Sequence, residues 1–146
     1  MTAVALQQLG RDKTLSTGKD IEILLWDQHR SEREVIKEML AKIGCRVTAV
    51  REEDECLTKF REGKYDLIIF DQGLPELNVN EFLDDLADID QLTPVAMLAT
   101  LDFEYYETRY GDSNIDFIIV KPFEFVQLQE LVKEATELGE RVRGSG

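Results

Sequence analysis

The sequence predicts an α/β domain: a parallel sheet held between two layers of helices. Three observations carry this. Five short apolar runs are spread along the chain, the segments between them mostly repeat their apolar residues at helical spacing, and three of the runs stop abruptly in polar or charged residues. Leu67 to Phe70 ends in Asp71, Ile21 to Trp26 ends in Asp27 and Gln28, and Ile115 to Val120 ends in Lys121-Pro122-Phe123. A run of this kind suits a strand buried on both faces that delivers its last side chain to the C-terminal rim of the sheet, where open α/β sheets bind ligands. Two carboxylates and a lysine then converge if these three strands are parallel neighbours.

Residues 1–20 mix Gly10, Gly18 and scattered charges, and are expected to be a flexible tail. Gly18-Lys19 is no phosphate loop, because no strand precedes it and Asp20 stands where Ser or Thr is needed. Ile21 to Trp26 is the first strand, with Trp26 read as core filling on the face away from the rim pocket. Ser31 and Glu34 have the spacing of a capping box, after which Val35, Ile36, Met39, Leu40 and Ile43 recur at helical spacing up to Gly44. Arg46 to Val50 is short and β-branched, a second strand. Glu53 to Arg61 places Cys56, Leu57 and Phe60 on one side of a second helix that Gly63 closes. Asp66 to Phe70 is the third strand. Asn78 and Glu81 again have cap spacing, ahead of a third helix carrying Phe82, Leu83, Leu86 and Ile89. Pro94 opens a fourth strand through Ala99, where a proline ring is tolerated. Thr100 to Asn114 is poorly patterned, holding Phe103, Tyr105, Tyr106 and Tyr110 beside Gly111. After the fifth strand, Phe125, Leu128, Leu131, Val132, Ala135 and Leu138 define a fifth helix, and residues 139–146 are expected to fray.

With 146 residues there is room for one ordinary domain, and 43% hydrophobic against 32% charged residues is a folding composition. A formal charge of −13 repels phosphate backbones and anionic lipid, which argues against direct nucleic-acid or membrane binding. Cys45 and Cys56 have no metal-binding or redox spacing and are read as reduced thiols. Neither a signal peptide nor a membrane span is discernible, so the cytoplasm is the expected location. His29, the sole histidine, is read as a solvated loop residue rather than an acid or base.

Four pieces in order at matching intervals now carry a resemblance: Ile23-Leu24-Leu25-Trp26-Asp27; Tyr65 to Asp71 with Leu74-Pro75 after it; Thr93-Pro94-Val95; and Val120-Lys121-Pro122-Phe123. Over about residues 21 to 138 the chain resembles the receiver domain of two-component response regulators. The resemblance implies a three-layer, flavodoxin-like, doubly wound (βα)5 fold with strand order 2-1-3-4-5. It implies that Asp71 accepts a phosphoryl group from a partner kinase's phosphohistidine, that Lys121 neutralises phosphoryl oxygens, and that Asp27, Asp71 and the main-chain carbonyl of Gly73 hold a divalent cation, usually magnesium. Lys121-Pro122 is expected to be cis. Partners implied are a sensor histidine kinase or phosphotransfer protein, and an output protein or second copy docking on the face of the fourth helix, fifth strand and fifth helix, where Phe103, Tyr105, Tyr106 and Tyr110 fall.

The chain departs from the family's pattern at three places. The second acidic position of the cation site is Gln28, whose carbonyl ligates weakly and lacks the charge, so magnesium affinity is expected to fall by about tenfold or more. The switch hydroxyl position is Ala99, with Thr100 next to it, and the aromatic switch partner is replaced by Ile118. These departures keep a second reading open, a pseudo-receiver that works as a phosphorylation-independent interaction module. A third, a hydrolase acting through an aspartyl phosphate, needs an acid two residues beyond the nucleophile, where Gly73 stands. The chain is therefore not expected to be an enzyme beyond self-catalysed phosphoryl transfer and autodephosphorylation at Asp71.

Overall fold

The structure, a computed structural model, describes residues 20–72, 78–100 and 114–144. In chain order the elements are β1 (Ile21–Trp26), α1 (Arg30–Ile43), β2 (Cys45–Val50), α2 (Glu53–Glu62), β3 (Leu67–Asp71), α3 (Val79–Ile89), β4 (Val95–Ala99), β5 (Phe117–Val120) and α4 (Phe125–Gly144). Helices are numbered among the described residues only. The sheet runs β2-β1-β3-β4-β5 and every pairing in it is parallel. This is the expected flavodoxin-like order. The first stretch of the chain, up to residue 19, and the aromatic residues Phe103, Tyr105, Tyr106 and Tyr110 lie outside the described residues.

Side chains alternate across a strand, and the sheet sorts its residues accordingly. Leu24, Trp26, Ile68, Phe70 and Met97 pack with Cys56, Phe60, Phe82 and Leu86 of α2 and α3. Ile23, Leu25, Leu67, Ile69 and Leu98 pack with Ile36, Leu40, Leu128 and Val132 of α1 and α4. Trp26 meets Phe82 edge to face at 4.8 Å between centroids, and Phe82 meets Phe70 at 5.1 Å, which fills the first core beneath the rim. Trp26 is thus core filling, as read from the sequence.

Several boundaries differ from expectation. The Ser31/Glu34 box does not form: α1 starts at Arg30, His29 occupies the N-cap position, and Ser31 and Glu34 are exposed. The turn is held instead by the Asp27 carboxylate, whose Oδ1 accepts from the His29 N–H at 2.8 Å. Val35 is 57% exposed, because Ile36 and Leu40 set the buried stripe and Val35 lies to one side of it. β5 opens at Phe117, since Asp116 serves as an edge cap whose Oδ2 accepts from the Val95 N–H at 2.9 Å. Helix α4 continues past Leu138 to Gly144, through exposed Glu140 and Arg141, which favour helix without needing a core. Asn78 does cap α3, accepting from the Glu81 N–H at 3.1 Å. Gly44 closes α1 in the left-handed region at φ 108°, with its N–H directed to the Ala41 and Leu40 carbonyls.

Candidate functional site

Asp27 and Lys121 follow β1 and β5 and Asp71 ends β3, with the same parity as Leu25, Ile119 and Ile69, so all three face the α1 and α4 side at the C-terminal rim. β1 and β3 are adjacent, and β4 alone separates β3 from β5. The backbone fixes each of them. The Asp27 N–H donates to Val50 O at 3.1 Å, and the Lys121 N–H donates to Ala99 O at 2.7 Å. The Lys121-Pro122 peptide is cis.

The head groups meet. Lys121 Nζ donates to Asp71 Oδ1 at 3.1 Å and to both Glu32 oxygens, Oε1 and Oε2, at 3.1 Å each. Side-chain exposure is 0% for Asp71, 17% for Lys121 and 30% for Glu32. Asp27 is fully buried. One carboxylate oxygen each from Asp27, Glu32 and Asp71 all lie within 4.8 Å of one another. Among the described residues, Asp27 Oδ2 is a buried oxygen with no hydrogen-bond partner.

Glu32 was not among the residues singled out from the sequence. It sits in the first turn of α1, where an acid is favoured by the helix dipole, and that turn begins three residues beyond Asp27. The available signal was positional: an acid in the first helical turn behind a strand that ends in an acid. Gln28, by contrast, is exposed. Ala99 is fully buried as the last residue of β4, Thr100 is exposed just beyond it, and Ile118 is half-buried in β5. Gly73 lies outside the described residues. His29 is exposed, as expected.

The electrostatics follow from burial and charge crowding. Burial first, and then the neighbouring Glu32 carboxylate, push Asp27 up to about 8. Burial alone would raise Glu32, but the neighbouring Asp27 carboxyl and the hydrogen bonds from Lys121 outweigh this and hold it below the usual carboxylate range. Burial likewise works to lower Lys121, yet hydrogen bonds to Asp71 and Glu32 prevail and keep its ammonium above the ordinary lysine range. The rim thus presents a buried carboxylate beside a fixed cation, with further acids able to gather a hard metal ion. Such a set can place positive charge on both sides of a transferring phosphoryl group.

Comparison with known proteins agrees with this geometry. The family model for the response regulator receiver domain matches residues 23–133. The uncharacterized transcriptional regulatory protein YcbL of Bacillus subtilis (strain 168) is 30% identical over 113 residues, 77% of this chain and 49% of that protein. Regulatory protein VanRB of Enterococcus faecalis is 31% identical over 103 residues, 70% of this chain and 46% of that protein. The chain therefore spans about half the length of the curated relatives it matches. Among solved structures, the response regulator protein TrrA from Thermotoga maritima, in complex with Mg(2+)-BeF, superposes with a TM-score of 0.70 at 28% identity over 79% of this chain and 98% of that chain.

Proposed function

We propose, for a chain that belongs to the response regulator receiver domain family, that Asp71 accepts a phosphoryl group from the phosphohistidine of a partner kinase or phosphotransfer protein. The observation that carries this is a fully buried rim carboxylate held 3.1 Å from Lys121 Nζ and facing the buried Asp27. In the step itself an Asp71 oxygen forms the new bond to phosphorus while the phosphorus–nitrogen bond to the donor histidine breaks and the imidazole leaves with the electron pair. Lys121 orients and neutralises the phosphoryl oxygens.

The donor set fits a divalent cation, because a buried carboxylate oxygen such as Asp27 Oδ2, without a partner among the described residues, is what a metal ion satisfies. Asp27 and Asp71 would hold it, with the Gly73 carbonyl as a further ligand by analogy with the family, while Gln28, the weak ligand the resemblance implies, is exposed. When bound, the cation supplies positive charge to the phosphoryl oxygens. TrrA, solved with Mg(2+)-BeF, supports the same ligand chemistry here. The phosphoryl group then alters docking to an output protein or second copy through the face that β5 and α4 help to build.

Incubation with magnesium and acetyl phosphate followed by intact mass tests the reading. One added phosphoryl group in the native protein and none in Asp71→Asn is expected. The absence of any adduct at tens of millimolar magnesium would sink it.

One observation favours a second reading. Ala99 is fully buried at the end of β4 and carries no hydroxyl to report on a phosphoryl group at Asp71. In that case the domain binds its partner whether or not Asp71 is modified, and Asp71→Asn leaves partner binding unchanged. Turnover as a phosphatase is not expected, with glycine at position 73, and a generic phosphate ester should not be hydrolysed.

A further inference from the structure

We propose that Glu32 takes over, in the cation site, the acidic role missing at Gln28, and that a bound cation draws Glu32 away from Lys121. The proposal rests on the receiver reading of Asp27 and Asp71 and specifies how their pocket is completed and controlled.

Gln28 is poorly placed to contribute. It is exposed, and the turn around it is pinned by the His29 N–H on Asp27 Oδ1 and by Arg33 Nη1 on the Asp27 carbonyl, each at 2.8 Å. Glu32 approaches the same space from the first turn of α1, with an oxygen within 4.8 Å of those of Asp27 and Asp71. A hard cation with oxygen ligands at roughly 2.0–2.6 Å spans about 4–5 Å between opposite ligands, so these three groups can share one after small side-chain rotations. The second observation is independent of the cluster's composition. Asp27 is 0% exposed, and its Oδ2 has no hydrogen-bond partner among the described residues. A buried carboxyl oxygen of this kind calls for a partner on that side, a proton or a cation.

The geometry also couples the cation to Lys121. An ammonium has three donors, and all three are engaged, two by the Glu32 oxygens and one by Asp71 Oδ1. In this arrangement an incoming phosphoryl oxygen finds no free donor on Lys121. Glu32 is the partner able to leave, since its side chain is 30% exposed whereas that of Asp71 is 0% exposed. When Glu32 turns to a divalent cation it releases two donors at the position where phosphoryl oxygens arrive. The cation thereby both completes the metal site and arms the lysine, and in its absence Glu32 holds Lys121 occupied.

Titration of the full chain with magnesium alone, read by Trp26 fluorescence and by calorimetry, tests this with no need for phosphoryl transfer. Trp26 directly precedes Asp27 and is buried. Glu32→Gln should lose about tenfold in magnesium affinity, the scale set by one ligand charge, and Glu32→Asp, which keeps the charge on a side chain one carbon shorter, should lose less. Thermal melting of both variants establishes that they are folded, as expected for small changes at a half-exposed helical position. In the native protein, magnesium should also shift the side-chain NMR signals of Lys121, and in Glu32→Gln this shift should be small. A Glu32→Gln affinity within about twofold of native overturns the proposal, as does a Glu32→Asp loss as large as that of Glu32→Gln. If the native chain still gains a phosphoryl group from acetyl phosphate while Glu32→Gln titrates normally, the role of Glu32 falls and that of Asp71 stands. A native chain that neither binds magnesium nor takes up phosphoryl overturns both.

Discussion

Replacing Lys121 with methionine keeps most of the aliphatic bulk and removes a cation that Asp71 and Glu32 share, each at 3.1 Å. At an effective dielectric of about 20, a unit pair at that separation is attractive by roughly 5 kcal/mol, so two partners give about 10 kcal/mol gross. Desolvation of the buried groups cancels most of this. Breaking a buried pair from one side generally costs about 3–5 kcal/mol, and here a crowded carboxylate can take up a proton, which holds the cost near ~3 kcal/mol at about pH 8 without metal. For a chain of this size that is a fall in Tm of about 6–12 °C. The dependence on pH has a definite sign. Burial and Glu32 already raise Asp27 from 3.8 to about 8 in the folded protein. A group raised on folding contributes stability that is present below its unfolded value and is lost as pH climbs through its folded value. Native protein in EDTA should therefore lose stability between about pH 5 and pH 8, and Lys121→Met should lose more, because its remaining carboxylates move in the same direction. Urea unfolding followed by Trp26 fluorescence at those two pH values measures both. Equal midpoints for the variant and native protein at about pH 8, or a deficit of the same size at both pH values, would refute the reasoning.

Asp27→Asn should abolish the fluorescence response to magnesium and, in EDTA at about pH 8, melt higher than the native protein, since it removes a buried charge whose ionisation opposes folding; a lower melting point would contradict the electrostatics of the pocket. Burial pushes the Cys45 and Cys56 thiols up to about 12 each, so their thiolate fractions at about pH 8 are roughly a thousandfold below those of ordinary thiols. Iodoacetamide should leave both unmodified in the native protein and label both in urea, with labelling counted by intact mass. Gly44→Ala should destabilise by about 1 kcal/mol through backbone conformation alone, because a Cβ there meets nothing within 4 Å and φ is 108°. Chemical denaturation giving no change would mean that the helix end relaxes into another cap.

The sheet was legible because its signals are local and redundant. Leu67 to Phe70 admits no polar face, so a strand covered on both sides is the reading that accommodates four consecutive buried residues, and Leu67, Ile68, Ile69 and Phe70 are all at most 1% exposed. Strand order was different in kind. Nothing in residues 45–50 or 67–71 states that β1 lies between β2 and β3, and that arrangement came from the resemblance, to be met by the observed pairings of Ile23 with Val47 and with Leu67. The start of α1 misled for a physical reason. Ser31 and Glu34 have the capping-box spacing, but the Asp27 side chain accepts from the His29 N–H at 2.8 Å and draws the turn in, so the N-cap falls at His29, two residues before Ser31, and Ser31 lies exposed within the helix.

That same displacement explains why the pocket's charge could not be counted along the chain. With Ser31 as the capping residue, as the sequence suggested, Glu32 reads as an ordinary exposed acid in a first turn, and Gln28 reads as a plain loss of one carboxylate from the site. With the turn drawn in by Asp27, the first turn of α1 stands over the rim, and Glu32 reaches Lys121 and comes close to Asp27 and Asp71. A pair of adjacent acids after β1 and a single acid followed by Glu32 five residues later can then provide the same number of carboxylates in the same space. The quantity that decides cation affinity is that number within a few ångströms, weighed against what burying each charge costs. Glu32 adds its charge from a side chain 30% exposed, where desolvation is partial, so the pocket gains a third acid at less cost than a second fully buried one beside Asp27 would impose.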